Sequence, residues 1–172
     1  VLTPLSGFDK VFITTNPNQR YQITSFSRYL KNFDPEKYRQ FLKDRLVSKN
    51  PKYHSRLVKK FMEYYWYTDP DLEKAYNSII KISPRLNNFE EALELVKKEL
   101  NIRIDIFNDY PYELNIVPYG KNEGICIFKF DHLLTDGLGI VATLCLIADN
   151  FSAETYPKII KLMKEPNIFQ KI

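Results

Sequence analysis

The sequence predicts an α+β fold, a mixed α/β sandwich, and three observations carry that prediction. At 172 residues and 44% hydrophobic, the chain can bury a substantial core and matches the size of one domain. Stretches with helical spacing and stretches with strand character are interleaved without the regular alternation of a doubly wound sheet. With five glycines, ten prolines and 27% charged residues, the chain shows no low-complexity, linker or repeat pattern.

The elements follow in chain order. Tyr21 to Phe26 reads as a strand. "DPEKYRQFLKDRLVS", Asp34 to Ser48, predicts an amphipathic helix: an N-cap aspartate, proline at the first helical position, and Tyr38, Phe41, Leu42 and Leu46 on one face. Strands are predicted at Arg56 to Tyr67, with a break, and at Ser78 to Ile82. From Asn88, the residues Phe89, Ala92, Leu93, Val96 and Leu100 recur at helical steps, with Glu90 and Glu91 first and Lys97 and Lys98 last, as the helix dipole favours. Glu113 to Val117 and Ile125 to Phe130 read as strands joined by the turn "YGKNEG" into an antiparallel hairpin. "GLGIVATLCLIAD" is apolar and permits a helix after Asp136, and "SAETYPKIIKLMK" predicts another.

Composition excludes several function classes. The 25 basic and 21 acidic residues are interspersed, so the net charge of +4 points to acidic ligands or anionic membrane surfaces rather than nucleic acid. Cys126 and Cys145 lie in apolar runs and read as small buried hydrophobes, which places the chain in a reducing, intracellular compartment. The apolar stretch Leu138 to Ala148 falls short of the ~20 residues of a membrane helix, leaving peripheral contact with a lipid or organelle membrane as the expected mode. There is no GxxxxGK or GxGxxG phosphate loop, and His54, His132 and two isolated cysteines offer no metal-ligand pattern. The chain begins at Val1 rather than methionine, as expected of a processed product or part of something longer.

The segment "FKFDHLLTDGLG" sets His132 at the end of a strand and Asp136 at the mouth of a helix. Two readings compete: a turn with a satisfied polar residue, or a general base. A histidine exposed in a cleft can take a proton from an alcohol as the alcohol attacks a carbonyl carbon, because its unperturbed pKa lies near neutrality. Asp136, facing away from substrate, would fix the loop by pairing with an arginine, with Arg20 and Arg28 as candidates, and Gly137 would supply backbone freedom at the helix entrance. His54, which has no acid at useful spacing, reads as a surface or interface residue. Trp66 and its neighbouring tyrosines could line a channel for an apolar chain but read more simply as core, and Lys59 and Lys60 read as a solvated strand face or edge.

Four stretches, in order, resemble the amino-terminal half of the wax ester synthase/diacylglycerol acyltransferase family, within the chloramphenicol acetyltransferase-like superfamily. "PLSGFDKVFI" is similar to the family's opening segment through Pro4, Leu5, Ser6, Asp9 and Phe12. "YYWYTDPDLEKAYN" matches its aromatic-Trp-x-x-Asp-Pro-Asp segment through Tyr65, Trp66, Asp69, Pro70 and Asp71, and "DYPYELNIVPYG" its Arg-Pro-Leu-Trp-Glu strand through Pro111 and Glu113. "DHLLTDGLG" matches the second part of HHxxxDG, with Asp131 in place of the first histidine, and Asn77 lies near a position where the family often has histidine. The resemblance implies half of a two-lobed fold, residues 1–172 forming the amino-terminal lobe and the carboxy-terminal lobe being absent. It implies an O-acyltransferase that takes acyl-CoA as substrate, with no tightly bound cofactor and no metal, and a long-chain alcohol or diacylglycerol as acceptor. His132 would be the base, beside a cleft, with Asp136 directed inward. It also implies that a missing lobe or another subunit covers the His132 face, since the apolar surface around Phe128, Phe130 and Leu133 would otherwise be exposed. The alternative is a non-catalytic acyltransferase-like scaffold or lipid-binding subunit of a larger complex.

Overall fold

A computed structural model describes residues 1–13, 21–135 and 137–147. Its elements are β1 (Leu2–Pro4), α1 (Gly7–Ile13), β2 (Gln22–Tyr29), α2 (Pro35–Leu42), β3 (Ser55–Lys60), β4 (Glu63–Thr68), α3 (Leu72–Ile79), β5 (Ile80–Ile82), α4 (Phe89–Leu100), β6 (Tyr112–Tyr119), β7 (Glu123–Asp131) and α5 (Gly137–Leu146). They form a four-stranded sheet in the order β2-β7-β6-β5 and a three-stranded sheet in the order β1-β4-β3. Among the strand pairs of the described residues, β5 and β6 run parallel and the others antiparallel.

The larger sheet is buried on both faces, and strand alternation assigns each residue to one of them. Cys126, Phe128 and Phe130 of β7 join Leu114 and Ile116 of β6 in a core closed by Leu42, Leu46 and Val47 from α2 and the turn after it, and by Ala75, Tyr76 and Ile79 from α3. On the opposite face Val117, Tyr119, Ile125 and Ile127 pack against Ala92 and Val96 of α4. A third cluster lies under the smaller sheet, with Leu5, Leu57, Trp66, Ile106 and Leu133. Each large apolar side chain taken out of water in this way stabilises the fold by roughly 1.5–3 kcal/mol before entropy is counted.

The helix predicted from Asp34 is present and capped as expected, with Asp34 Oδ1 accepting from the backbone N–H groups of Glu36 and Lys37. It ends in a π-helical turn, Lys43–Val47. The helix from Asn88 is likewise present, its cap accepting from Glu91 N–H. The broken strand at 56–67 is the β3–β4 hairpin, and "YGKNEG" joins β6 to β7. β3 is an edge strand and Lys59 and Lys60 are exposed on it. "GLGIVATLCL" forms α5, whereas the segment "SAETYPKIIKLMK" lies outside the described residues.

Two expectations need correction, and two elements were not foreseen. The strand expected at Ser78 to Ile82 shrinks to Ile80–Ile82, because Asp71 caps a preceding helix through Lys74 N–H and Ala75, Tyr76 and Ile79 give that helix a buried face. The short β1 and α1, unassigned from the sequence, frame the smaller sheet. Phe128, Phe130 and Leu133 are buried within this chain rather than exposed: α2 and α3 cover the two phenylalanines, and the smaller sheet covers Leu133.

Gly124 marks a close approach on which the hairpin depends. A Cβ built there would lie 2.1 Å from the ring of Phe33, itself packed against Tyr29 and Tyr38. Gly124→Ala is therefore expected to destabilise the fold by about 1–3 kcal/mol, since the ring must leave its packed position. Thermal unfolding of the variant against the parent chain measures this.

Candidate active site

His132 follows β7 directly, and its loop is tied at almost every residue. Asp131 N–H donates to Pro111 O at 2.8 Å, His132 N–H to Tyr21 O at 2.9 Å, and Leu134 N–H to Asp131 O at 3.0 Å. Asp131 Oδ1 accepts from Leu133 N–H at 2.9 Å, an Asx turn that reverses the chain just past the strand. Leu133 then enters the core of the smaller sheet and Leu134 that of the larger. The histidine is thus presented from the seam between the two sheets by a loop anchored on both sides.

The imidazole of His132 is half-buried. It stacks on the ring of Phe12 from α1, with centroids 4.7 Å apart and planes inclined by 20°, and Tyr21 meets it edge-on at 6.4 Å. Its Nδ1 is buried and has no hydrogen-bond partner among the described residues. Buried nitrogens are ordinarily bonded, and this one, like Ser25 Oγ, Arg39 Nε and Arg56 Nε, is without a partner among the described residues.

The four stretches singled out in the sequence converge here. Asp9 of the first accepts from Trp66 Nε1 of the second at 3.1 Å, and the Lys52 ammonium lies 3.3 Å from its other oxygen. Asp69 of the second accepts from the Tyr110 hydroxyl of the third at 3.1 Å. Pro111 of the third receives the Asp131 N–H of the fourth, and Phe12 of the first stacks on His132. Trp66 is core, as expected, but its indole N–H fastens α1 to the smaller sheet and so holds Phe12 against the histidine.

Burial alone would push the Asp9 carboxyl up, but the bonds from Trp66, Lys52 and Ser6 outweigh it and hold its pKa below the usual carboxylate value. A depressed folded-state pKa stabilises the fold above the unfolded value of ~3.9, and that contribution is lost as pH falls through the folded value. Asp9→Asn is expected to flatten the acid limb of the stability curve while keeping an acceptor for Trp66. Acid titrations of both proteins, followed by circular dichroism, test this.

Of the other predicted site residues, Gly137 is the first residue of α5, and Asp136 and Arg20 lie outside the described residues. Arg28 is engaged elsewhere: it donates to the Tyr119 hydroxyl at 2.8 Å, sits over the Phe89 ring at 3.7 Å and approaches Glu123 at 3.8 Å. It pairs with Ile125, whereas Gln22 pairs with Asp131, so strand rise sets it about 20 Å along the sheet from the His132 end. His54 bonds the carbonyl of Val47 through Nδ1 at 3.1 Å and is half-buried, a local tie rather than a free surface group. Cys126 is fully buried, burial pushing its thiol pKa up, and Cys145 is partly buried.

Sequence reasoning did not assign the roles of Phe12, Tyr21 and Asp131. For Asp131 a signal existed, since aspartate two residues before an apolar N–H at a strand end is an Asx-turn pattern. For Phe12 the resemblance of its stretch marks the residue but not its contact, and for Tyr21 no signal existed, because each contact with His132 spans more than a hundred residues of chain.

No family model matches the chain, and no curated protein sequence matches it. Solved structures do share its fold. A variant of the starter condensation domain of rhizomide synthetase RzmA superposes with a TM-score of 0.71 at 9% identity, covering 91% of this chain and 39% of that one. The same domain in complex with C8-CoA gives 0.67 at 9% identity, over 86% of this chain and 34% of that one. A wax ester synthase/diacylglycerol acyltransferase from Marinobacter aquaeolei VT8 gives 0.58 at 19% identity, over 94% and 44%. The chain spans less than half the length of each, and it has the mixed α+β, acyltransferase-like fold found in part of those longer chains.

Proposed function

We propose that this chain is the amino-terminal lobe of an O-acyltransferase in which His132 is the general base. The observation that carries this reading is the tethered histidine at the end of β7, its Nδ1 buried and unpartnered among the described residues. In the proposed reaction the acceptor hydroxyl gives its proton to the imidazole, and the oxygen attacks the thioester carbonyl of acyl-CoA. The C–S bond then breaks, and the departing CoA thiolate takes the proton back. Acyl-CoA is a substrate here, and the steps call on no bound cofactor. The acceptor is a long-chain alcohol or diacylglycerol, as the resemblance of the four stretches implies. The C8-CoA complex of a fold neighbour supports acyl-CoA as a ligand of this architecture.

The opposite wall of the site comes from a carboxy-terminal lobe or another subunit, with Asp136 fixing the loop from within. One observation favours a second reading, a non-catalytic scaffold or lipid-binding subunit. Where the resembling family has a first histidine, Asp131 is 4% exposed and bonded to its own loop, a structural commitment that serves the turn whether or not chemistry occurs. Turnover of acyl-CoA and a long-chain alcohol by the full-length source protein, compared with its His132→Ala variant, distinguishes the two.

A further inference from the structure

We propose that the tip of the β3–β4 hairpin is a membrane-docking wedge directed at an anionic bilayer surface. Lys60 pairs with Glu63, which leaves Phe61 and Met62 as the two turn residues, and they are 86% and 85% exposed. Both have positive φ, 49° and 70°. A two-residue hairpin turn of that hand is ordinarily built from Asn-Gly, because bulky L-residues are strained there. Phe61 and Met62 therefore neither fill the core nor suit the turn, and a strained pair of large apolar side chains held into solvent points to a role outside the fold.

The surroundings fit a lipid surface better than a protein partner. Lys59 and Lys60 precede the tip, are exposed, and form no ion pair with a carboxylate among the described residues; the Lys60 ammonium lies over the Phe61 ring at 5.4 Å, and Glu63 is the acidic residue across the turn. A groove of about 270 Å³ at the base of the tip is lined by Lys10, Ile13, Met62, Glu63 and Tyr64, and so carries the apolar surface of the tip onto α1, with Lys10 and Glu63 as its two charged groups. Lysine is depleted in the cores of protein interfaces. At a bilayer its apolar stem lies along the lipid while the ammonium reaches the headgroups, beside inserted phenylalanine. This inference does not depend on the reaction assigned to His132.

The test is vesicle co-sedimentation of the full chain, using phosphatidylcholine alone and phosphatidylcholine mixed with phosphatidylserine. Phe61→Asn with Met62→Gly supplies the sequence the turn prefers, so the unfolding temperature should hold or rise while binding to the mixed vesicles falls by about a hundredfold or more. Lys59→Glu with Lys60→Glu should abolish the preference for phosphatidylserine, and added salt should weaken wild-type binding. Absence of wild-type binding to the mixed vesicles, or binding unaltered by the turn variant, overturns the proposal. So does protection of Phe61 and Met62 from hydroxyl-radical labelling in the vesicle-free source protein, which would assign the tip to a polypeptide partner.

Discussion

His132→Ala is expected to lower the acyl-transfer rate of the full-length source protein by about 10² to 10⁴-fold, the usual contribution of a positioned general base. The loss should fall on kcat, with KM for acyl-CoA little changed, because the proton transfer occurs only as the hydroxyl attacks. The fold should survive the substitution. The loop's backbone bonds to Tyr21 and Pro111 and its burial of Leu133 and Leu134 do not use the imidazole. Steady-state kinetics with circular dichroism separates the two effects. A variant that retains its spectrum and its activity together would remove the base from His132.

Lys129→Met is expected to cost about 3–5 kcal/mol of stability at neutral pH. The Lys129 side chain is 3% exposed, and its ammonium lies 2.6 Å from Glu99 and 3.2 Å from Glu113. It thereby joins α4 to the sheet face at the strand that leads into His132. Methionine keeps most of the volume but leaves two largely buried carboxylates without their shared cation. Burial raises the Glu113 pKa, but Lys81 and Lys129 outweigh it and hold the carboxyl below its usual value. That stabilisation is present above the unfolded pKa of ~4.3 and is lost as pH falls through the folded value. The deficit of the variant should thus be greatest near neutrality and narrow on acidification, as Glu113 protonates. Urea unfolding of both proteins across pH measures the difference, and a deficit independent of pH would assign the loss to packing instead.

The elements legible in the sequence were those whose signals are local. Asp34 and Asn88 announced their helices because a cap and an apolar face lie within one short stretch, and "YGKNEG" announced its hairpin through turn chemistry. The helix Leu72–Ile79 is unassigned in the sequence reading except for Ser78 and Ile79, which read as the start of a strand, because its cap, Asp71, belongs to an aspartate-proline-aspartate run that reads equally as a turn. The expected exposure of Phe128, Phe130 and Leu133 failed for a different reason. A strand shows which residues share a face but not which helices will cover it, and α2 and α3 are far away in sequence. Within the site, the strand-end position of His132 was legible, whereas its Phe12 platform, the Trp66 to Asp9 link behind it and the Asp69 to Tyr110 link were not. Those contacts join segments whose separation carries no periodic signal.

The most direct test of acyl transfer at His132 is to incubate the full-length source protein with radiolabelled acyl-CoA and a long-chain alcohol and to isolate the lipid product. The acyltransferase reading predicts labelled ester forming in step with free CoA, and both falling together in His132→Ala. No ester from a well-folded, fully assembled protein, or ester formed equally by the variant, would contradict it, and the former would leave the tethered histidine to a non-catalytic subunit.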